Sequence, residues 1–290
     1  MLSLHTNAAG LSAQNSISRT QTSLSTSMTR LSTGYRINSA MDDAAGLQIA
    51  TRLKAQTSGM AVAMRNTQNS TSMLQTAEGA LDEVSNMLVR MKDLATQAAD
   101  QSSTQADKDA MQLEYDALGL ELSNVLKNTT FGGAKLLVGG TVGAAMKFQI
   151  GASSTETMSV DLSADVTAVD GAIAAATANY TTAGTGTEIA SGAAASGAAA
   201  SGSIAKLDTA LAAVGKVRSG LGAAANRLEH VYNNLANVST NSKAATGRIM
   251  DTDFATESSN MTAKQMLMQA GTAMLKQTNQ MSSMVMSLLQ

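Results

Sequence analysis

Residues Arg52–Ala99 read RLKAQTSGMAVAMRNTQNSTSMLQTAEGALDEVSNMLVRMKDLATQAA, and Leu53, Met60, Thr67, Leu74, Leu81, Leu88 and Ala95 recur in it at heptad spacing. Ala77, Val84, Met91 and Ala98 supply the second position of the same repeat. Two apolar positions per heptad, sustained this long, define the seam of a coiled coil. The pattern predicts one helix from about Asp43 to Ala99, roughly 85 Å at ~1.5 Å per residue. Gly59 and Gly79 inside it each cost about 1 kcal/mol relative to alanine.

A partner for that seam follows at once. After the polar stretch Asp100–Thr104, the residues Met111, Tyr115, Leu118, Leu122 and Val125 predict a shorter helix that folds back antiparallel. Asn128, Gly132 and Gly133 stop it. The period then switches to two: Phe148 and Ile150, then Met158, Val160 and Leu162, alternate with polar residues on either side of Gly151–Thr155 and predict a β-hairpin. Beyond it, 21 of the 23 residues from Thr181 to Ser203 are Ala, Gly, Ser or Thr. Side chains that small bury too little apolar area to offset ordering entropy, so a surface segment is expected there. Helical spacing resumes with Ile204, Leu207, Leu211, Val214, Leu221, Ala225, Leu228, Tyr232 and Leu235. Arg218 falls on the seam and needs a polar partner.

The two ends differ from this middle. Leu4, Ala8 and Leu11, then Ile17, Leu24, Met28 and Leu31, form a thin apolar stripe among Ser, Thr, Asn and Gln. At the other end Leu267, Ala270, Met274, Met281, Val285 and Leu288 share a helical stripe, widened by Met266, Met268, Met284, Met286 and Leu289. From Met250 onward the chain holds eight of its 19 Met and only five charged residues. Burying about six such side chains gains roughly 10–15 kcal/mol, while ordering ~30 residues costs about 1–2 kcal/mol each before helix hydrogen bonds offset part of it. Packing one terminal helix on the other barely breaks even. Contacts around most of the circumference are needed, and an open polymer of identical subunits supplies them.

Composition excludes much else. Aromatics are 2% of the 290 residues and Pro, Cys and Trp are absent, so long unbroken helices are permitted and thiol chemistry is not. The formal net charge of −2, without a basic block, argues against a nucleic-acid surface. No apolar run is long enough for a membrane span, and the N-terminus lacks the basic head and apolar run of a cleavable secretory signal. Asp42-Asp43 reads as a helix cap rather than a metal or acid–base pair. His5 and His230 are too few for a zinc helix, and the Gly-Gly pairs precede no Lys-Ser/Thr, so no cofactor, metal or catalytic residue is assigned. The fold expected is mainly α: a long antiparallel coiled-coil or helical bundle with a small β-hairpin region.

RLSTGYRINSAMDDAAGL (Arg30–Leu47) resembles the N-terminal signature of bacterial flagellins. TAEGALDEVSNMLVRMKDLATQAA (Thr76–Ala99) resembles their long-helix motif. Asn226-Arg227-Leu228, RIMDTDFATESSNM (Arg248–Met261), QAGTAMLKQTNQ (Gln269–Gln280) and the terminal VMSLLQ resemble their C-terminal signature in order and spacing. One departure is Met281-Ser282-Ser283-Met284, where many members carry Pro. The resemblance implies a structural subunit of the flagellar filament, secreted through the flagellar type III route, with no enzymatic activity. It implies terminal helices (1–42 with 251–290) paired in an inner tube. An outer coiled coil with the hairpin (43–162 with 203–250) and a short variable surface region (163–202) complete the division. Leu4, Leu11, Leu24, Met28, Leu31, Leu267, Met274, Met281, Val285 and Leu288 are then the polymerisation residues. The partners implied are further copies of the chain, an export chaperone, a filament cap protein, a hook–filament junction protein and the animal Toll-like receptor for flagellin. The receptor segment maps onto Leu88, Arg90, Leu94, Gln97 and Glu114. A hook–filament junction protein of the same superfamily is the alternative within the family, and a coiled-coil signalling protein the alternative outside it.

Overall fold

The computed structural model describes residues 7–190 and 198–287, with side chains as far as residue 281. The elements run α1 (Ala8–Thr33), α2 (Ala44–Ala99), α3 (Gln105–Asn128), β1 (Thr130–Phe131), β2 (Ala134–Lys135), β3 (Met146–Gln149), β4 (Thr157–Val160), α4 (Ser163–Ala176), a single 3-10 turn (Ala178–Tyr180), α5 (Ala198–Met250) and α6 (Phe254–Ser287). The chain divides into two compact units: 58–239, and the two ends 1–57 with 240–290.

Unit 58–239 holds the hydrophobic core. The heptad positions Met60, Thr67, Leu74, Leu81, Leu88 and Ala95, with Ala77, Val84, Met91 and Ala98, are all buried. Facing them are Met111, Tyr115, Leu122 and Leu126 of α3 and Leu207, Ala210, Val214, Val217, Leu221, Ala224 and Leu228 of α5. On α5 the fully buried line uses Ala210, Val217 and Ala224, leaving Leu211 and Ala225 half-buried at its margin. Arg218 finds its partners across the seam edge in Glu78 at 3.2 Å and Asp82 at 3.0 Å. Lys92 pairs with Asp208 at 2.5 Å and Lys216 with Asp165 at 2.8 Å. α3 starts on a capping box, in which the Asp107 N–H donates to the Thr104 hydroxyl and the Thr104 N–H donates to the Asp107 carboxylate at 3.0 Å.

Two antiparallel hairpins follow α3. The expected one pairs Phe148 with Met158 and Met146 with Val160. A shorter one, absent from the sequence-based expectation, pairs Thr130 with Lys135 and Phe131 with Ala134 around Gly132 (φ 58°) and Gly133 (φ 86°). Two successive positive φ values make a tight primed turn, which is why both residues are glycine. Gly59 also has its reason: a Cβ there would stand 2.7 Å from that of Ala152 in the β3–β4 loop.

Of the stretch 163–202, expected to be a surface segment, residues 191–197 lie outside the described residues, and the described part contributes to this core. Val166, Val169, Ile173 and Ala176 of α4 are buried, as are Tyr180 and Ile189, and α5 already begins at Ala198. The reason is polar as much as apolar. Gln112 donates from Nε2 to Asp116 at 2.7 Å and Glu188 at 2.8 Å, and its Oε1 accepts the N–H groups of Ile189 at 2.8 Å and Ala190 at 3.2 Å. The Gly186 N–H donates to Asp116 at 2.9 Å and the Ser203 hydroxyl to the Glu188 carbonyl at 2.9 Å. Tyr115 donates to the Ala176 carbonyl at 2.8 Å. Burial pushes both the Tyr115 and Tyr180 phenols well above their usual range. Glu188 and Asp116 add to the effect at Tyr115, and the hydrogen bond to Asp170 adds to it at Tyr180.

Candidate assembly surface

The other unit is built on the pairing of α1 with α6. Asn7 caps α1 by accepting the Gly10 N–H at 2.9 Å, and α1 ends where the Gly34 N–H closes on the Arg30 carbonyl at 2.9 Å. Tyr35 and Asp251 form an antiparallel bridge, the Arg36 N–H donates to the Met250 carbonyl at 2.6 Å, and Thr252 returns a bond to Gly34 at 3.0 Å. These bonds fix the two chain ends in register. The Asp42 carboxylate organises the turn before α2: it accepts the N–H groups of Ser39 at 2.9 Å and Asn38 at 3.0 Å, and these two bonds hold its carboxyl below the usual range. Asp43 accepts the Gly46 N–H at 2.8 Å and caps α2, so of the acidic pair one residue caps the helix and the other holds the preceding turn.

Packing between α1 and α6 uses one stripe of each. On α1 the covered line is Gly10, Ala13, Ile17, Thr20, Leu24, Ser27 and Leu31; on α6 it is Glu257, Met261, Lys264, Met268, Gly271, Leu275 and Thr278. Both repeat at three and four residues, as facing helices require. Ile17 lies against Gly271. The seam is partly polar: Lys264 donates to the Ser27 hydroxyl at 2.8 Å, and Arg30 stands 3.9 Å from Glu257 and 4.0 Å from Asp42.

The expected polymerisation residues divide between the two faces. Leu24 is buried in the α1–α6 seam and Leu31 is half-buried beside it. Leu11 and Met28 of α1 lie outside the covered seam and are exposed, as are Leu267 (62% exposed), Met274 (66%) and Met281 of α6. Leu4 and Leu288, and the side chain of Val285, lie outside the described residues. α6 therefore carries two apolar stripes. The one conspicuous in sequence is the outer one, and the inner one was hidden among Lys264, Gly271 and Thr278. Sequence reasoning also passed over Phe254 and, in the turn between α1 and α2, Met41, whose side chain is 97% exposed. A shallow groove between α1 and α6 is lined by Leu24, Ser25, Met28, Thr29 and Met268.

The five residues of the expected receptor segment also separate. Leu88 and Leu94 are buried in the core of unit 58–239 and are not open to a partner. Arg90, Gln97 and Glu114 are exposed, and Arg90 pairs with Glu114 at 2.7 Å. Among the described residues no cluster of three or more His, Asp or Glu forms a metal site, and no helix is long and apolar enough to cross a membrane.

A mainly helical chain whose two ends pair through one stripe and expose a second, charge-poor one belongs to the class of self-assembling structural subunits. The comparisons name the family. The model of the bacterial flagellin N-terminal helical region matches residues 4–141, and that of the C-terminal helical region matches residues 204–289. Flagellin A of Vibrio anguillarum is 35% identical over the whole of both chains. Polar flagellin C of Vibrio parahaemolyticus is 34% identical over the same extent, and a flagellin of Halalkalibacterium halodurans is 39% identical over 90% of each. Among solved structures, one described as a flagellar hook-associated protein of Vibrio parahaemolyticus covers 72% of this chain and 100% of its own, with a TM-score of 0.55 and 18% identity, a likeness of fold alone. The chain belongs to the bacterial flagellin family. It is a structural subunit of the flagellar filament, an extracellular assembly of copies of such chains, and the junction-protein and signalling alternatives are not favoured.

Proposed function

We propose that this chain polymerises through the outer stripes of α1 and α6, with residues 1–42 and 251–290 as the inner layer of the filament and 43–162 with 203–250 as the layer around it. The observation that carries this reading is the exposure of Leu11, Met28, Leu267, Met274 and Met281 on two helices with few charges. Burying these five side chains gains about 8–15 kcal/mol gross per subunit at ~1.5–3 kcal/mol each. A single association costs an estimated 4–15 kcal/mol in lost freedom, so one neighbour is marginal and several neighbours per subunit are decisive. The same exposure supports capture of the C-terminal segment by an export chaperone before assembly, since an apolar helix without its neighbours needs a cover. The absence of Cys suits passage of an unfolded chain through the flagellar type III route. A filament cap protein and a hook–filament junction protein complete the partners at the two ends of the polymer. We assign no catalytic step to the chain. In the free subunit, Arg90, Gln97 and Glu114 form the surface presented to the animal Toll-like receptor.

Removing Met281–Gln290 tests the assembly reading. The truncated chain is expected to sediment as monomer with its thermal transition retained, where the full chain pellets as polymer. Normal filaments from the truncated chain would reject the reading.

A further inference from the structure

Among the described residues the exposed methionines all lie in one of the two units, where Met250, Met261 and Met268 are half-buried. In unit 58–239 every described methionine (Met60, Met64, Met73, Met87, Met91, Met111, Met146 and Met158) is buried or half-buried. In the other unit Met28, Met41, Met266, Met274 and Met281 are each more than half exposed. Thioethers oxidise according to their access, and with no Cys in the chain no thiol competes for the oxidant.

We propose that these five methionines form an oxidation switch on assembly: peroxide converts them to sulfoxides in the free subunit and so blocks polymerisation, while the core of unit 58–239 stays reduced and folded. The inference rests on the assembly reading above. Its chemistry is a two-electron oxygen transfer. A lone pair of the thioether Sδ attacks one oxygen of hydrogen peroxide, the S–O bond forms as the O–O bond breaks, and the departing hydroxide takes the proton of the sulfur-bound hydroxyl, leaving the sulfoxide and water. Sulfur is oxidised by two electrons and the peroxide is reduced by two. The product is a polar, chiral side chain on a surface that must be dry when copies pack. Each sulfoxide placed in a buried contact forfeits the thioether's burial, about ten-fold in the subunit concentration needed for assembly. Inside a filament the same sulfurs are covered, so the switch acts on subunits before incorporation. The damage is reversible, because methionine sulfoxide reductases restore the thioether.

The test treats the full-length chain with hydrogen peroxide, once as free subunit and once as polymer, and maps each methionine by peptide mass spectrometry. Sedimentation then measures assembly. The free subunit is expected to gain oxygen at Met28, Met41, Met266, Met274 and Met281 and not at Met87, Met91 or Met158. Its assembly concentration is expected to rise at least about ten-fold, its helical circular dichroism to persist, and treatment with the two sulfoxide reductases to restore assembly. A chain with all five changed to Leu (Met28→Leu and its counterparts) is expected to assemble after the same treatment. Unchanged assembly of fully oxidised subunits overturns the switch, as does loss of assembly in the five-Leu chain on peroxide alone. Should that variant not assemble even untreated, repair of the oxidised natural chain decides, and failed repair counts against the proposal. Equal oxidation of the five in polymer and free subunit overturns the assembly reading itself, whereas protection in the polymer without any effect on assembly overturns the switch alone.

Discussion

Replacing Gln112 with Leu removes a buried amide of similar volume and leaves four groups without their partner. The N–H groups of Ile189 and Ala190 lose their acceptor, and the Asp116 and Glu188 carboxylates lose a shared donor. With the fold held as it is, the cost is about 3–6 kcal/mol, since an orphaned buried group costs about 1–3 kcal/mol and bonds to ionised groups are the stronger ones. The molecule has a cheaper response. Releasing Gly186–Ala190 from α3 forfeits the burial of Ile189, about 1.5–3 kcal/mol, together with the Gly186 and Ser203 bonds, and regains backbone entropy. The measured loss is therefore capped near 2–3 kcal/mol, and unit 58–239 stays folded with its segment loose. Urea denaturation is expected to show a lower midpoint, and amide exchange at Ile189 and Ala190 to quicken by about two orders of magnitude. Deleting Ala183–Ala200 removes Gly186, Glu188 and Ile189 from these contacts and is expected to destabilise the unit, although the composition reads as that of a surface segment. An unchanged midpoint with unchanged protection at Ile189 would refute the latch.

Alkaline titration should find Tyr115 and Tyr180 silent until the fold opens. Their neutral form is favoured in the folded chain, so their contribution is whole below the free phenol value of about 10 and is lost as pH rises through the folded value. Phenolate absorbance from these two rings is expected to appear together with loss of helix, and Tyr115→Phe to remove part of that signal. Arg90→Asp reverses an exposed charge and breaks the pair with Glu114, a change of at most about 1 kcal/mol in stability. It should leave assembly intact while weakening activation of the animal receptor by free subunit, and an unchanged dose–response curve counts against that surface.

The long helices were legible because a heptad repeated from Leu53 to Ala95 leaves no competing period, and the β3–β4 hairpin because Phe148, Ile150, Met158 and Val160 alternate cleanly. The β1–β2 hairpin has two residues per strand, too few to alternate, and only the Gly132-Gly133 pair signalled it. α4 was obscured by composition. In SADVTAVDGAIAAA the alanines blur the polar face, although Val166, Val169 and Ile173 already stood at helical spacing. The Gln112 latch joins residues that lie 76 positions apart, and no local pattern encodes it. On α6 the conspicuous stripe is the exposed one, and the seam with α1 was obscured because it admits Lys264, Gly271 and Thr278 among its covered residues.

That outward stripe bears the central claim, and one double substitution addresses it directly. Leu267→Asp with Met274→Asp places two carboxylates on side chains that touch little within the subunit, so the free chain is expected to keep its helical signal and thermal transition. Sedimentation under assembling conditions is expected to leave it in the supernatant while the natural chain pellets, because two buried, unpaired charges cost more than the stripe contributes. Pelleted filaments of normal appearance from the doubly substituted chain would contradict the assignment of this face to assembly.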